Sequence, residues 1–126
     1  MKSSIKLLLL LLTFSSSSKA NTQVKMNFKF DTPYGDNQSV GNYVELNGTE
    51  TYYEEYVKGE PLLLIHGQYG SIKWLGNQIE YFKKKYRVII ADNRAYGKTK
   101  LKTTSLTYDL VVKYLGGLVH SLSIYG

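Results

Sequence analysis

Two uninterrupted apolar segments constrain the fold of this chain more than any other feature. The first, Leu62–Ile65, ends at His66-Gly67, and the second, Val88–Ala91, ends at Asp92. A strand covered on both faces is apolar throughout, whereas a half-exposed strand alternates apolar and polar residues. The two segments therefore predict buried parallel strands of an α/β sheet, and the residues that follow each strand are the candidate site.

The preceding region reads as a β-hairpin. Asn42–Leu46 and Glu50–Tyr56 alternate and are rich in strand formers, and Asn47-Gly48 lies between them. This dipeptide favours the positive φ angles of a tight turn. The hairpin precedes a strand–helix–strand–helix order, which predicts an α/β fold with a mostly parallel sheet and an antiparallel edge.

Helical spacing of apolar residues predicts two helices. One is expected over Ile72–Lys84 and a longer amphipathic one over residues 106–122, with Thr107 as its N-cap. Gly116-Gly117 predicts a kink or a frayed end in the second helix, because glycine weakens a helix interior.

The first 20 residues are predicted to be a secretory signal peptide, which implies a secreted or periplasmic protein. Two lysines precede the leucine run Leu7–Leu12, and Ser18-Lys19-Ala20 has the small-residue pattern of a cleavage site. The run is shorter than the roughly 18 apolar residues that span a bilayer, so we expect no stable membrane span; a retained anchor is the alternative. Residues 21–41 are polar and are predicted to be a flexible lead-in to a domain over 42–126.

Composition excludes several classes of site. The chain has no cysteine, so it forms neither disulfides nor thiolate metal sites. Removal of the leader takes away Lys2, Lys6 and Lys19 and no acid, which lowers the formal net charge from +6 to +3. That charge is too small to indicate a nucleic-acid partner, and we expect no cofactor or metal.

Three motifs in order resemble the N-terminal part of an α/β-hydrolase, a serine hydrolase of esterase or lipase type. They are His66-Gly67-Gln68, the segment Asp92-Asn93-Arg94-Ala95-Tyr96-Gly97-Lys98-Thr99 and the start of the last helix. The second is similar to the family's D-x-R-G-x-G-x-S loop, with Ala95 and Thr99 replacing Gly and Ser. The resemblance covers about residues 42–126 and implies a partial α/β-hydrolase fold.

The resemblance implies an oxyanion hole at His66, Gly67 and Gln68. The backbone N–H of Gln68 would face the carbonyl oxygen that becomes negative during acyl transfer, and Gly67 would allow a close backbone approach. From the local residues alone, an ordinary turn with a structural His66 remains the alternative.

The resemblance gives the second motif a structural role. Asp92 and Arg94 are expected to pair and fix the loop, while Gly97 permits a turn with positive φ.

The sequence has no G-x-S-x-G nucleophile motif, and neither of its two histidines is expected to act as a general base. No catalytic residue is therefore assigned, and the chain as given is expected to be inactive. By resemblance, the full-length form would hydrolyse a small carboxylic ester through a Ser-His-Asp triad. Two alternatives stay open, a non-catalytic secreted binding protein and a decayed gene fragment.

The implied topology has a consequence for Leu62–Ile65. In this fold that strand lies between the Val88–Ala91 strand and a further strand that the sequence does not contain. We therefore expect an open sheet edge that favours self-association and leaves the chain marginally stable.

Overall fold

The computed structural model describes residues 6–9, 29–100 and 107–124, and of residues 6–9 it gives only the backbone pairing. The predictions for the rest of the leader, for residues 21–28 and for residue 106 lie outside the described residues. The elements are β1 (Lys6–Leu9), β2 (Gly41–Leu46), β3 (Thr49–Tyr56), β4 (Pro61–Ile65), a 3₁₀ helix (Ile72–Leu75), α1 (Gly76–Phe82), β5 (Arg87–Ala91) and α2 (Tyr108–Ser121).

The strands form one mixed sheet in the order β1-β4-β5-β3-β2. β4 is parallel to both β1 and β5, and the hairpin strand β3 is antiparallel to both β5 and β2. The predicted α/β class and the hairpin at Asn47-Gly48 are confirmed. Two of the described strand pairs are parallel and two are antiparallel. The hairpin contributes both antiparallel pairs, because β3 pairs with β2 and also with β5.

Side chains of β4 and β5 alternate between two buried clusters on opposite faces of the sheet. Leu62 and Leu64 pack on the face covered by the 3₁₀ helix and α1, whereas Leu63 packs on the face covered by α2. In β5, Val88 packs on the face covered by α1 and Ile89 on the face covered by α2, and both are fully buried. Coverage on both faces explains why these strands carry no polar residue in their interiors.

The two predicted helices form with differences in detail. The segment after β4 is divided into a 3₁₀ turn and the short α1. The Thr107 hydroxyl caps α2 by accepting from the Leu110 N–H at 3.3 Å, as predicted.

The expected kink in α2 is wrong, since the helix runs unbroken through both glycines. A Cβ at Gly117 would lie 3.4 Å from the Leu46 side chain, in ordinary van der Waals contact, so α2 packs on the hairpin at this position without requiring glycine. No helix among the described residues is long and apolar enough to cross a membrane.

Residues 29–41 are packed against the sheet, contrary to the prediction of a flexible lead-in. The N–H groups of Gly35 and Asn37 each donate to the carboxylate of Glu54 at 3.0 Å. The hydroxyls of Tyr52 and Tyr56 donate to the same carboxylate at 2.8 Å. Glu54 is fully buried, and its four neutral donors replace the water it loses on folding.

The edge of β4 differs from the expectation as well. β4 does lie beside β5 as the resemblance implied, but its other side is paired with β1. The predicted open edge is therefore wrong, because Lys6–Leu9 supplies the neighbouring strand.

The Glu54 network leads to a stability prediction. Glu54→Gln replaces one acceptor oxygen by an NH₂ group that faces donors, so we expect the free energy of unfolding to fall by about 2–4 kcal/mol. Urea denaturation of the wild type and the variant measures the change. Glu45→Gln, an exposed change on the same hairpin, is the control and should alter stability by less than about 0.5 kcal/mol. Equal stability of the Glu54 variant and the wild type would contradict this role for the carboxylate.

Candidate active site

A cavity of about 330 Å³ lies at the carboxyl ends of the parallel strands β4 and β5. The loops after these strands form one wall, and the first turns of α2 form the other. This is the usual position of ligand sites in α/β sheets, since side chains and backbone amides of successive loops meet there. The lining includes Ile65, His66, Gln68, Asn93, Arg94, Tyr96, Thr107, Tyr108, Val111, Tyr114 and Leu115.

His66 holds the two loops together through both ring nitrogens. Nδ1 lies 2.9 Å from the Gly67 carbonyl oxygen, which only accepts, so Nδ1 carries the proton. Nε2 accepts from the Asn93 N–H at 2.9 Å, and the Asn93 side-chain amide donates back to the His66 carbonyl at 2.9 Å.

The ring of His66 is therefore neutral and structural. Its Nε2 lies 3.9 Å from Asp92 Oδ1, but a nitrogen that accepts a hydrogen bond is not a cationic donor, so the two residues form no ion pair. Burial lowers the pKa of His66, against the opposing effects of the Gly67 carbonyl and Asp92.

Asp92 fixes the loop after β5. Its buried carboxylate accepts from the Ile72 N–H at 2.9 Å and from the Lys98 N–H at 2.8 Å. Burial raises its pKa, and these two backbone donors oppose that shift. Gly97 has φ +53°, and a Cβ there would collide with the Asp92 carboxylate, so both the predicted positive φ and a close approach require glycine.

The expected pairing of Asp92 with Arg94 is wrong. Arg94 donates instead to the Asn47 carbonyl at 2.9 Å and to the Thr49 hydroxyl at 2.7 Å, which ties the loop to the hairpin turn. The backbone amides of Ile72 and Lys98 already occupy the Asp92 carboxylate. Arg94 keeps a structural role, but its partners come from the hairpin.

Ala95 occupies the position where the family's motif has glycine. It adopts φ +68°, in the left-handed region. A residue with a Cβ is strained there by about 1–2 kcal/mol, which gives a physical reason for glycine in the family pattern.

The backbone at Gly67-Gln68 is open. A Cβ at Gly67 would meet nothing within 4 Å, so in this chain the tight position is Gly70, where a Cβ would lie 3.1 Å from the Gly67 carbonyl oxygen. The Gln68 N–H donates to no acceptor among the described residues, and Gln68 is exposed at the cavity. Tyr69 follows with φ +64° and turns the chain toward Gly70.

Two further polar atoms of the cavity residues are buried without a partner in the described part of the chain. They are Asn93 Oδ1, an acceptor, and Arg94 Nε, a donor. Buried polar atoms in proteins are almost always satisfied, so water or a ligand in the cavity is the expected partner.

His66, Gln68 and Arg94 line one cavity. Asp92 and Gly97 lie in the segment after β5 and are not among the residues that line this cavity. Sequence reasoning missed Asn93, Tyr96 and Tyr114 as site residues. Tyr114 is fully buried, and its hydroxyl donates to the Asp92 carbonyl at 2.8 Å. In the sequence, Tyr114 occupies an apolar position of the predicted helix, and this pattern does not predict a hydrogen bond to Asp92. Among the described residues no group of three or more His, Asp or Glu has the arrangement of a metal site.

No known protein-family profile matches the chain. A curated relative is 2-hydroxy-6-oxo-6-(2'-aminophenyl)hexa-2,4-dienoic acid hydrolase of Metapseudomonas resinovorans. It is 32% identical over 90 residues, which cover 69% of this chain and 31% of that protein. The chain thus spans about a third of the length of this relative.

Solved structures match a similar share of this chain and of their own length. Bromoperoxidase from Bacillus anthracis superimposes with a TM-score of 0.62 at 30% identity, covering 66% of this chain and 31% of that one. An epoxide hydrolase from Vigna radiata has a TM-score of 0.62 at 28% identity, covering 66% of this chain and 28% of that one.

The His66 contacts predict a pH dependence of stability. Because the folded state lowers the pKa of His66, the unfolded chain binds more protons once the pH falls through about 6.5. The contribution of His66 is therefore present above this range and is lost as the pH falls.

Urea denaturation of the wild type and His66→Gln between pH 5 and 8 measures this effect. The stability difference between the two should shrink toward pH 5, and comparison at each pH removes the opposite contribution of Asp92. The matched control variant is His120→Gln, which changes an exposed histidine of α2 outside the His66 contacts. If the stability difference between the wild type and His66→Gln does not change with pH, the neutral, hydrogen-bonded state of His66 is contradicted.

Proposed function

Because this chain belongs to the α/β-hydrolase fold family and spans about a third of its relatives' length, we propose that it supplies the oxyanion-binding part of a hydrolase of carboxylic esters. The relatives are hydrolases of several kinds, and the ester substrate is our inference from the cavity and the Gln68 turn. In the complete protein, a serine, a histidine and an acid outside the sequence given would perform nucleophilic attack.

The observation that carries the proposal is that Gln68 lines the cavity and that its backbone N–H has no acceptor within the described part of the chain. A backbone donor left without an acceptor at a concave site is available to a ligand oxygen. Arg94 Nε, a donor of a second lining residue, is also without a partner among the described residues, whereas Asn93 Oδ1 is an acceptor and needs a donor.

Hydrogen bonds fix the turn that carries this donor. The reciprocal hydrogen bonds between His66 and Asn93 fix its first residue, and the Gly70 N–H donates back to the Gly67 carbonyl at 3.1 Å. A donor fixed before the reaction needs no reorganisation when charge develops on the carbonyl oxygen. Removing one such donor typically slows acyl transfer by about 10²–10³-fold, so its placement matters for rate.

The lining suits a small ester with an apolar part. Ile65, Val111 and Leu115 contribute apolar side chains to the lining, and Asn93 and Arg94 contribute polar ones. An acyl chain would contact the apolar side chains while the carbonyl oxygen approaches Gln68.

Anion binding tests the oxyanion role without requiring catalysis. A monoalkyl alkylphosphonate is a stable tetrahedral anion that resembles the intermediate of ester attack. Titration followed by ¹⁵N–¹H correlation spectra should move the Gln68 amide signal in a saturable way.

The matched variants are Gln68→Pro and Gln68→Ala. Proline removes the N–H and also fixes φ, and the preceding Gly67 tolerates the restriction that proline imposes, while alanine removes the glutamine side chain and keeps the N–H. We expect the proline variant to bind the phosphonate about tenfold or more weakly, and the alanine variant to bind like the wild type. Circular dichroism checks that both variants are folded. Equal binding by both would overturn the role of the Gln68 N–H and favour a non-catalytic binding protein.

Catalysis by the chain as given is the complementary test. Because it contains no G-x-S-x-G motif, we expect no hydrolysis of p-nitrophenyl butyrate above the rate of buffer with a boiled sample. Turnover that purifies with the chain would show that it carries its own nucleophile and base.

A further inference from the structure

Arg94 is a buried cation in the lining of the cavity. It is 3% exposed, and of the described residues that line the cavity it alone carries a charge. His66 is neutral, and neither Asp nor Glu belongs to the described lining. The cavity therefore carries a positive charge and has no carboxylate of its own to balance it.

The hydrogen bonds of Arg94 are made to neutral groups. Nη2 donates to the Asn47 carbonyl at 2.9 Å and to the Thr49 hydroxyl at 2.7 Å. Nε is buried and has no acceptor among the described residues. The carboxylate of Asp92, close in sequence, is already occupied by two backbone amides.

No acidic side chain of the given sequence balances Arg94. The ion pairs of the described residues all involve other side chains. Outside the described ranges, residues 1–5, 10–28, 101–106 and 125–126 contain neither Asp nor Glu. The cation is thus enclosed without a counter-charge.

A guanidinium enclosed in this way favours an anionic ligand. Neutral acceptors replace only part of the hydration that a cation loses on folding. A carboxylate restores the balance, because its charge-assisted hydrogen bonds are about twice as strong as neutral ones and suit the planar donors of arginine. The two bonds to Asn47 and Thr49 hold the guanidinium in place before the ligand arrives, which lowers the entropic cost of binding.

On the basis of the function proposed above, we propose that Arg94 binds a carboxylate on the acyl half of the substrate. The cavity then takes monoesters of short dicarboxylic acids. The ester carbonyl oxygen accepts from the Gln68 N–H, the carbon chain contacts the apolar part of the lining, and the terminal carboxylate accepts from Arg94. The acyl half stays bound through both steps of acyl transfer, so an anchor on this half holds the reacting carbonyl in each step.

Matched phosphonate probes test the carboxylate separately from the oxyanion role. Each probe is a monomethyl alkylphosphonate whose chain of two, three or four methylene groups ends in a carboxylate. Its control carries a neutral carboxamide in the same place. Both members of a pair offer the same phosphonate to Gln68, and only one offers a negative charge to Arg94. The three lengths allow for the separation of the two groups.

The wild-type chain supplies its own reference signal. It contains two arginines, Arg87 and Arg94, so its ¹⁵N–¹H spectra contain two Nε–H signals. Arg87 Nε already donates to Glu55 at 2.8 Å, and its signal should stay in place. For at least one length, the carboxylate probe should bind about tenfold or more tightly than its amide control and shift the Arg94 Nε–H signal in a saturable way.

Two variants assign the preference to one arginine. Arg94→Gln removes the charge of the cavity, so the carboxylate and amide probes should bind with equal affinity. Arg87→Gln removes the partly exposed ion pair with Glu55, outside the cavity lining, and should keep the tenfold preference. Circular dichroism checks that both variants are folded. If Arg94→Gln does not fold, the Arg94 signal of the wild type decides the result.

The readouts distinguish failure of the carboxylate site from failure of the oxyanion role. Equal binding of both probes at every length would overturn the carboxylate site, and the oxyanion role would stand if the Gln68 amide still responds. An equal shift of the Arg94 signal by both probes would also overturn it, because the cation would then act on the phosphonate. A Gln68 amide that responds to no probe, beside an Arg94 signal that responds to the carboxylate alone, would overturn the proposed function and support the carboxylate site.

Discussion

The buried carboxylate of Asp92 is the contact on which the site depends. It accepts hydrogen bonds from the Ile72 and Lys98 N–H groups, which belong to the segments after β4 and after β5. Burial alone disfavours a carboxylate, and the two amides offset part of that desolvation. Because Ile72 begins the helical segment after the His66 turn, one side chain sets the relative position of both loops that line the cavity.

Glu54, in the hairpin strand β3, follows the same physical rule. Neutral donors satisfy it, and no lysine or arginine forms an ion pair with it within the part of the chain that the structure describes. The ion pairs that do form, such as Arg87 with Glu55, are partly exposed and contribute little. Backbone amides and hydroxyls thus organise the interior, while charges pair at the surface.

The sequence predicted the elements better than it predicted the contacts between them. The pattern of apolar residues and the local composition were enough to predict the buried strands β4 and β5, the Asn47-Gly48 hairpin and the Thr107 cap. Each of these signals lies within a few residues of the chain. Arg94 was assigned to Asp92 because the two are neighbours in sequence. Its observed partners, Asn47 and Thr49, are 47 and 45 residues away, and no local pattern indicates them.

By itself the sequence determined the α/β class, the two buried strands and the residues that end each strand. Only the tertiary structure decided that His66 is neutral with its proton on Nδ1, that Gly35 and Asn37 donate to Glu54, and that Lys6–Leu9 pairs with β4. Local patterns fix elements because propensity and periodicity act between near neighbours. Hydrogen-bond partners and strand neighbours are chosen by burial, which brings distant residues together and requires each of their polar groups to find a partner.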